Sequence, residues 1–307
     1  MIEMAVTVDD LPVHGIAHPD LSRNQVADMA IAALTKHNVR ACGFVNGGQL
    51  ASPEVVRVLK AVHRLPGGGR IGRVLCRAGV LDPRPYLSRQ FPDVKLEYRA
   101  ILERWLAAGQ ELGNHGYWHS NINLVPISTF TTGISKNQQL LLTLNRKQDK
   151  VFRYPYLREG CTAEQRRSVR SYLDKNGYKI AQVTVSFKDW TWNRPFVKRI
   201  SQGKVDDVHR IKAAFLKVAQ MRLEWSVNTA QQLVGRPIKH ILLLHLSSFT
   251  ASVLDELLST YSAMGVKFIT LEEAMSDPVY TIDPNVLSEK GCTFLEQLFL
   301  SERCYLD

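Results

Sequence analysis

Two adjacent carboxylates follow the first apolar segment of the sequence. Residues 4–8 are largely apolar, and Asp9 and Asp10 come directly after them. Neighbouring carboxylates repel each other, and a bound cation or a division of catalytic roles relieves that repulsion. The pair is also compatible with ordinary turn chemistry at the end of a strand, so by itself it leaves both interpretations open.

A second cluster of metal-binding residue types follows the apolar segment 111–114. His115 and His119 stand four residues apart, and side chains at this spacing project from the same face of a helical turn. Two imidazoles on one face can bind a single metal ion. The spacing alone is not decisive, because His14 and His18 share it in a loop that contains glycine and proline. We interpret that other pair as lining a cleft or exposed to solvent.

Further residues that could take part in catalysis or binding follow other apolar segments. Arg153 lies at the end of one segment, Trp190 follows another, and His245 lies at the end of a third. Each has an ordinary explanation, as a surface arginine, a core tryptophan and a buried strand histidine. Their shared position at or just beyond the C-terminal ends of different predicted strands favours a functional interpretation, because βα barrels assemble their active sites there.

The elements that would position these residues alternate along the chain. Short apolar segments alternate with amphipathic ones, as in βα units around a parallel sheet. The seven predicted strands cover residues 4–8, 40–45, 111–114, 150–154, 178–184, 240–246 and 267–270. Among the predicted helices, Thr162 with Gln165 forms a capping box, and Thr250 and Gly265 bracket a later helix. We predict an α/β protein built as a distorted (β/α) barrel of about seven parallel strands.

Residues 64–96 interrupt this alternation. They contain three consecutive glycines and four prolines, with seven basic residues against two acidic ones. The segment therefore supplies five of the ten net positive charges of the chain. We interpret it as a basic insertion between two barrel helices, the first of which begins at Ser52 and Pro53. The predicted organisation is a catalytic barrel over residues 1–276 and a C-terminal helical extension over residues 277–307.

These motifs, taken in order, resemble those of the polysaccharide deacetylase family, carbohydrate esterase family 4, which includes chitin, chitooligosaccharide, peptidoglycan and acetylxylan deacetylases. The resemblance runs over residues 5–280, with the insertion as an interruption. It implies that Asp9 is the catalytic base and that Asp10, His115 and His119 bind one divalent metal ion. The expected ion is zinc (Zn²⁺), with Co²⁺ or Ni²⁺ as alternatives.

The same resemblance implies roles for the residues that follow. Arg153 would orient the base, the backbone N–H of Tyr156 would face the oxyanion, and His245 would act as general acid. Asp189 matches the family's fourth motif, but Ser186 stands where many relatives carry an acidic residue, so the residue that holds the general acid is left open. The residues assigned to substrate contact are Trp118, Trp190, Trp192 and Leu243.

Together these assignments describe a metal-dependent hydrolase that removes N-acetyl or O-acetyl groups from a carbohydrate polymer or oligosaccharide. Two alternatives stay open. One is a hydrolase of a C–N bond in a small cyclic amide or ureide on the same fold, and the other is a non-catalytic carbohydrate- or polyanion-binding protein that uses the basic insertion. The residues do not identify the polymer, and we do not expect nucleic acid as the partner.

Composition and chain start add few constraints on location. The chain enters a predicted strand almost at its first residue, which leaves no room for a signal peptide, and no stretch reaches the ~18 apolar residues of a membrane span. We expect a soluble chain that is not exported as written, although a processed or truncated secreted form would look the same. The cysteines are scattered and odd in number, and we expect free thiols at Cys42, Cys76, Cys161, Cys292 and Cys304.

We predict that the basic insertion is dispensable for the fold, because it lacks the apolar periodicity that would join it to the core. Replacing residues 65–95 with a short flexible linker should leave a single cooperative thermal unfolding transition. The measurement is calorimetry on the shortened chain and on the full chain. Loss of cooperative unfolding in the shortened chain would show instead that the segment packs as part of the barrel.

Overall fold

The computed structural model describes residues 1–50, 96–145 and 150–303. The predicted helix after Ser52 and the basic insertion up to residue 95 lie outside these ranges. Within them, the seven predicted strands are confirmed: β1 (Ile2–Leu11), β2 (Cys42–Val45), β3 (Glu111–Asn114), β4 (Val151–Phe152), β5 (Lys179–Ile180), β6 (His240–His245) and β7 (Val266–Ile269). Residue 96, which the sequence assigned to the insertion, is instead the first residue of a helix.

The strands form one parallel sheet that curves into a barrel. Their order is β5-β4-β3-β2-β1-β6, and β7 pairs with the first half of β1. Beyond β5 the chain also bonds to β6. The N–H of Thr184 donates to the carbonyl of Ile241 at 3.0 Å, and the N–H of Leu243 donates to the carbonyl of Val185 at 2.9 Å. These bonds link the far edge of the sheet to β6, and the predicted distorted (β/α) barrel is confirmed.

Helices cover the outside of the barrel, since parallel strands require long crossover connections. In the described ranges they are α1 (Arg23–Lys36), α2 (Leu96–Ala107), α3 (Ile127–Leu144), α4 (Ala163–Lys175), α5 (Asn193–Ile200), α6 (Val205–Val234), α7 (Ser248–Ala263), α8 (Leu271–Met275) and α9 (Phe294–Arg303). Short 3₁₀ turns cover Gly47–Leu50, Pro155–Leu157, Asp189–Trp192 and Pro278–Thr281.

Side-chain caps determine where two of these helices begin. Helix α4 starts after Thr162, as predicted, because the Thr162 hydroxyl accepts the N–H of Gln165 at 3.2 Å. Helix α7 starts earlier than predicted. Its cap is Ser247, whose hydroxyl accepts the N–H of Thr250 at 3.2 Å, so the threonine lies within the first turn rather than before it.

Strand β1 determines which side chains face the inside of the barrel. In a strand, successive side chains point to opposite faces. Met4 and Val8 belong to the large apolar core beneath the helices, whereas Ala5 belongs to a small apolar cluster on the inner side. Thr7 and Asp9 share the orientation of Ala5 and therefore face the interior, closer to the C-terminal end of the strand. The alternation thus places a hydroxyl and a carboxylate inside the barrel above an apolar floor.

The C-terminal extension packs onto the outside of the barrel. After the turn Pro278–Thr281 the chain runs without regular structure to α9, which lies against α6. Phe294 and Leu295 are fully buried and form one apolar cluster with Ala230 of α6 and with Ile238. The extension is therefore held by its own apolar contact with the barrel helices.

Two expectations about thiols and membranes can be compared with the described residues. Cys42, Cys161 and Cys292 form no disulfide bonds, as predicted, while Cys76 and Cys304 lie outside the described ranges. None of the helices in these ranges combines the length and the apolar character that crossing a membrane requires.

We predict that the cluster beneath α9 contributes substantially to stability. Leu295→Ala should lower the free energy of unfolding by about 2–5 kcal/mol, because a fully buried leucine leaves a cavity when truncated. Leu300→Ala on the same helix is the matched control, and its 38% exposed side chain should cost no more than about 1 kcal/mol. Urea unfolding of both variants measures the difference. Equal losses would mean that α9 contributes little to the core.

Candidate metal and catalytic site

The C-terminal ends of the barrel strands bring the predicted site residues together. Asp9 and Asp10 lie at the end of β1, His115 follows β3, and His245 ends β6 directly opposite Asp9 in the ladder. Leu243 lies two residues earlier on β6 and is buried on the same inner side as His245. Residues far apart in the sequence thus meet at one end of the barrel, as expected for a parallel βα protein.

Asp10, His115 and His119 form the one group of three metal-binding side chains found in the described residues. One ligand atom from each lies within 4.8 Å of the others. Asp10 Oδ1 is 3.7 Å from His115 Nε2 and 3.3 Å from His119 Nε2. One carboxylate oxygen and two imidazole nitrogens are a donor set that zinc prefers, and three protein ligands leave room for water and substrate. The residues therefore fit a divalent ion.

A hydrogen bond fixes the ring of the first histidine for metal binding. Nδ1 of His115 lies 2.9 Å from the carbonyl oxygen of Arg153. A carbonyl only accepts, so Nδ1 is the donor in this bond, and Nε2, 3.7 Å from Asp10 Oδ1, is the ring nitrogen left to bind a metal. Histidine ligands of metals usually have such an outer partner, which sets the tautomer and the ring orientation.

The protonation states of the other two ligands also favour metal binding. Burial lowers the pKa of His119 to about 3, with support from neighbouring imidazoles and against the charge of Asp10. Burial alone would raise the pKa of Asp10, but the imidazoles of His119, His14 and His115 hold it well below its usual range. At neutral pH the site therefore offers a neutral imidazole and a carboxylate, the forms that bind a cation.

Two residues that the sequence did not assign to the metal group contact the carboxylate of Asp10. Asn46 follows β2, and its amide donates to Asp10 Oδ1. His14 Nδ1 lies 2.9 Å from Asp10 Oδ2, and its ring is 5.2 Å from that of His245. His14 therefore lines the site. His18, its partner in spacing, instead accepts a backbone N–H at 3.0 Å and takes no part in the group.

An asparagine network supports the loop that carries the two histidines. Asn114 accepts the N–H of Gly116 at 2.9 Å and also an N–H of Asn137 at 2.9 Å. Asn137 in turn accepts the N–H of Gly47 at 2.9 Å. Gly116 has a φ of 73°, a left-handed conformation that suits glycine. The sequence signal for this network was an asparagine directly before His115, which the pattern of apolar segments did not single out.

The second carboxylate is held beside the metal ligands by a buried arginine. Arg153 is 1% exposed. Its Nη1 donates to Asp9 Oδ1 at 3.1 Å, its Nη2 to the Thr7 hydroxyl at 3.1 Å, and its Nε to the carbonyl of Ala181 at 2.7 Å. The other oxygen of Asp9 lies 3.5 Å from His115 Nε2. Asp9 is thus oriented toward the site by a fixed positive charge.

Asp189 is the acid that contacts His245, the question that the sequence left open. Nδ1 of His245 lies 2.9 Å from Asp189 Oδ1, and the backbone N–H of His245 donates to Asp189 Oδ2 at 2.6 Å. Asp189 is 1% exposed. Burial alone would lower the pKa of His245, but the charge and the hydrogen bond of Asp189 outweigh it and raise the pKa to about 9. The imidazole is therefore protonated at neutral pH.

The aromatic residues of the predicted site lie in different environments. Tyr156, which the resemblance assigned to the oxyanion, has its ring centroid 4.3 Å from that of His119. Trp118 is buried at 7% exposure, and Trp192 stacks against a core phenylalanine at 6.2 Å. Trp190 is 48% exposed. Trp190 is therefore the most exposed of the three tryptophans, and substrate contact by Trp118 and Trp192 stays a prediction.

The comparison with protein families identifies the class. The family model described as polysaccharide deacetylase matches residues 2–181, more than half of the chain. The chain therefore belongs to the polysaccharide deacetylase family. The matched span includes Asp10, His115, His119 and Arg153, and it ends before Asp189. No curated protein gives a significant sequence match.

Solved structures share the fold at low sequence identity. The chitin deacetylase from the fungal pathogen Colletotrichum lindemuthianum is 18% identical with a TM-score of 0.53, and the match covers 90% of this chain and 88% of that one. A family 4 carbohydrate esterase pseudoenzyme from Bacillus anthracis is 16% identical with a TM-score of 0.53, covering 89% of this chain and 65% of that one. A mutant of that pseudoenzyme has restored enzymatic activity. These similarities establish the fold.

We predict that the three-residue group binds one zinc ion per chain. His119→Ala should weaken zinc affinity by more than about 100-fold, because even outer partners of metal ligands cost 10–100-fold when removed. His18→Ala is the matched control, since His18 lies outside the group, and it should leave the affinity unchanged. Titration calorimetry with Zn²⁺ measures both. Unchanged affinity in the His119 variant would contradict the ligand assignment.

Proposed function

We propose that this chain is a metal-dependent hydrolase that removes N-acetyl or O-acetyl groups from a carbohydrate polymer or oligosaccharide. One observation carries the proposal: a metal-compatible group of Asp10, His115 and His119 lies beside a separate carboxylate, Asp9, which Arg153 holds in place. Membership of the polysaccharide deacetylase family supports it. The proposed ion is zinc, with cobalt or nickel as alternatives.

A divalent ion at the three ligands would supply a water of lowered pKa and would polarise the acetyl carbonyl. The side chains around it then determine the reaction. The carboxylate of Asp9 lies 3.5 Å from His115 Nε2 and is oriented by Arg153. We assign to Asp9 the removal of a proton from the attacking water, a general-base role. The backbone N–H of Tyr156 is the proposed donor to the oxyanion of the tetrahedral intermediate.

The leaving group requires a proton from the opposite side of the site. His245 is the proposed donor, because its pKa of about 9 keeps the imidazole charged at neutral pH. Asp189 accepts the Nδ1 proton and so leaves the Nε2 proton to be given to the departing sugar nitrogen or oxygen. This division into one base and one acid, each with its own charged partner, is typical of acyl-group hydrolysis.

Substrate contact is assigned to an exposed aromatic ring and an apolar inner wall. Trp190 is 48% exposed and follows Asp189 directly, and we assign its ring to stacking on a sugar next to the general acid. Leu243 is buried two residues before His245 and would contact the acetyl group. Apolar surface with a few placed polar groups is the usual composition of a ligand site.

A direct assay is needed because a protein with this fold can be inactive, as the Bacillus anthracis pseudoenzyme is. Acetate release should be measured on acetylated chitooligosaccharides, peptidoglycan fragments and xylan. We predict that Asp9→Asn lowers the rate by about 10²–10⁴-fold while zinc stays bound, because a general base is lost and no ligand is. Asp10→Asn is the matched control and should lose the metal. The reverse pattern would show that the two carboxylates have each other's roles.

We also predict that Asp189 sets the alkaline limit of activity. His245 acts in its protonated form, so kcat/KM should fall as pH rises through its raised pKa of about 9. In Asp189→Asn the charge that opposes the effect of burial is removed, so this decline should move to lower pH. The pH profile on an N-acetyl sugar measures the shift. An activated aryl acetate, whose leaving group needs little protonation, is the control substrate, and its kcat/KM should fall far less at alkaline pH. An alkaline limit that does not move in Asp189→Asn would contradict the assignment.

A further inference from the structure

The turn next to the metal ligands has an unusual backbone. Tyr156 has a φ of 60° and Leu157 a φ of 53°, so two consecutive residues with side chains are left-handed. A Cβ atom makes this conformation unfavourable, and consecutive examples are rare outside glycine. Residues in such conformations persist where surrounding contacts hold them. The contacts around this turn therefore matter for the position of Tyr156.

The C-terminal extension supplies contacts to the backbone of this turn. Gly291 lies so close that a Cβ atom in its place would overlap the carbonyl oxygen of Tyr156. The N–H of Cys292 donates to the carbonyl of Leu157 at 3.4 Å. The contacts are made by the main chain at both residues, and only glycine leaves enough space at position 291.

Further hydrogen bonds hold the residues that follow the turn. The N–H of Ser288 donates to the carbonyl of Gly160 at 3.3 Å. The buried carboxylate of Glu159 accepts from Gln182 at 2.8 Å and from Gln297 of α9 at 3.3 Å. Residues 156–160 are thus bonded to the extension at both ends of the loop.

The extension is itself fixed to the barrel, so it can hold the turn in place. Arg166 of α4 is 2% exposed and donates to Asp283 at 3.0 Å and to Asn285 at 3.2 Å. At the other end, the N–H of Phe294 donates to the carbonyl of Val183 at 2.6 Å. A segment fastened at both ends against buried partners forms a rigid support for the loop between them.

We propose that residues 282–297, which lie beyond the family-matched span, position Tyr156 for the reaction, with Gly291 as the positioning residue. The inference rests on the proposed function, in which the backbone N–H of Tyr156 faces the oxyanion. A displaced donor weakens transition-state stabilisation and leaves the three metal ligands in place. Misplacement of about 1 Å far from the chemistry can cost roughly 100-fold in rate.

The test compares Gly291→Ala with Lys290→Ala in the zinc-loaded full chain. Lys290 is an exposed neighbour on the same segment and is the matched control. We expect Gly291→Ala to lower kcat by at least about 10-fold with KM and zinc affinity unchanged. We also expect faster hydrogen exchange of the amides of residues 156–160 in this variant and not in the control. Gln297→Leu, which removes the amide that donates to Glu159, replaces Gly291→Ala if that variant does not fold.

The outcomes separate the two proposals. With an active wild type, an unchanged kcat in folded Gly291→Ala, or in Gln297→Leu where that variant replaces it, overturns the positioning role. A loss of zinc affinity that parallels the loss of kcat also overturns it, because the extension would then support the metal site instead. If the wild type releases acetate from no glycan, the proposed function fails, and hydrogen exchange alone tests whether the extension holds the turn. Faster exchange of residues 156–160 in Gly291→Ala then upholds it, and unchanged exchange overturns it.

Discussion

One buried arginine connects the groups on which the site depends. The Arg153 side chain donates to Asp9, to the Thr7 hydroxyl and to the carbonyl of Ala181, while its own carbonyl accepts the Nδ1 proton of His115. A buried positive charge requires a paired anion and filled hydrogen bonds, since otherwise the loss of hydration destabilises the fold. Asp9 provides that anion. The same residue thereby fixes the distance between the proposed base and one proposed metal ligand.

An irregularity at the end of β1 allows two consecutive carboxylates to serve one site. In a regular strand their side chains would point to opposite faces. The pairing of β1 with β2 shifts between Val8 and Leu11, and Asp10 has a φ of 61°. As a result, Asp10 Oδ1 lies 3.7 Å and Asp9 Oδ2 3.5 Å from the same nitrogen of His115. One carboxylate can then join the metal ligands while the other remains beside them.

The frame of the site could be predicted from the sequence, and its supports could not. Buried strands consist of apolar residues, so the apolar segments of the sequence located all seven strands. Residues that follow parallel strands were then expected to lie together at one end of the barrel. Asn46 and Asn137 have no comparable pattern, because their partners are distant in the chain and an asparagine in a turn or helix is locally unremarkable.

Metal dependence of acetate release tests most directly whether the ligand group and the neighbouring acid and base form one catalytic site. Protein stripped with a chelator is assayed on acetylated chitooligosaccharide, acetylated peptidoglycan fragments and acetylxylan, before and after addition of one equivalent of Zn²⁺. We expect background release from the stripped protein and recovery of the full rate at one equivalent on at least one of these glycans. Full activity without metal, or stoichiometric zinc binding without acetate release from any of them, would contradict the proposed function.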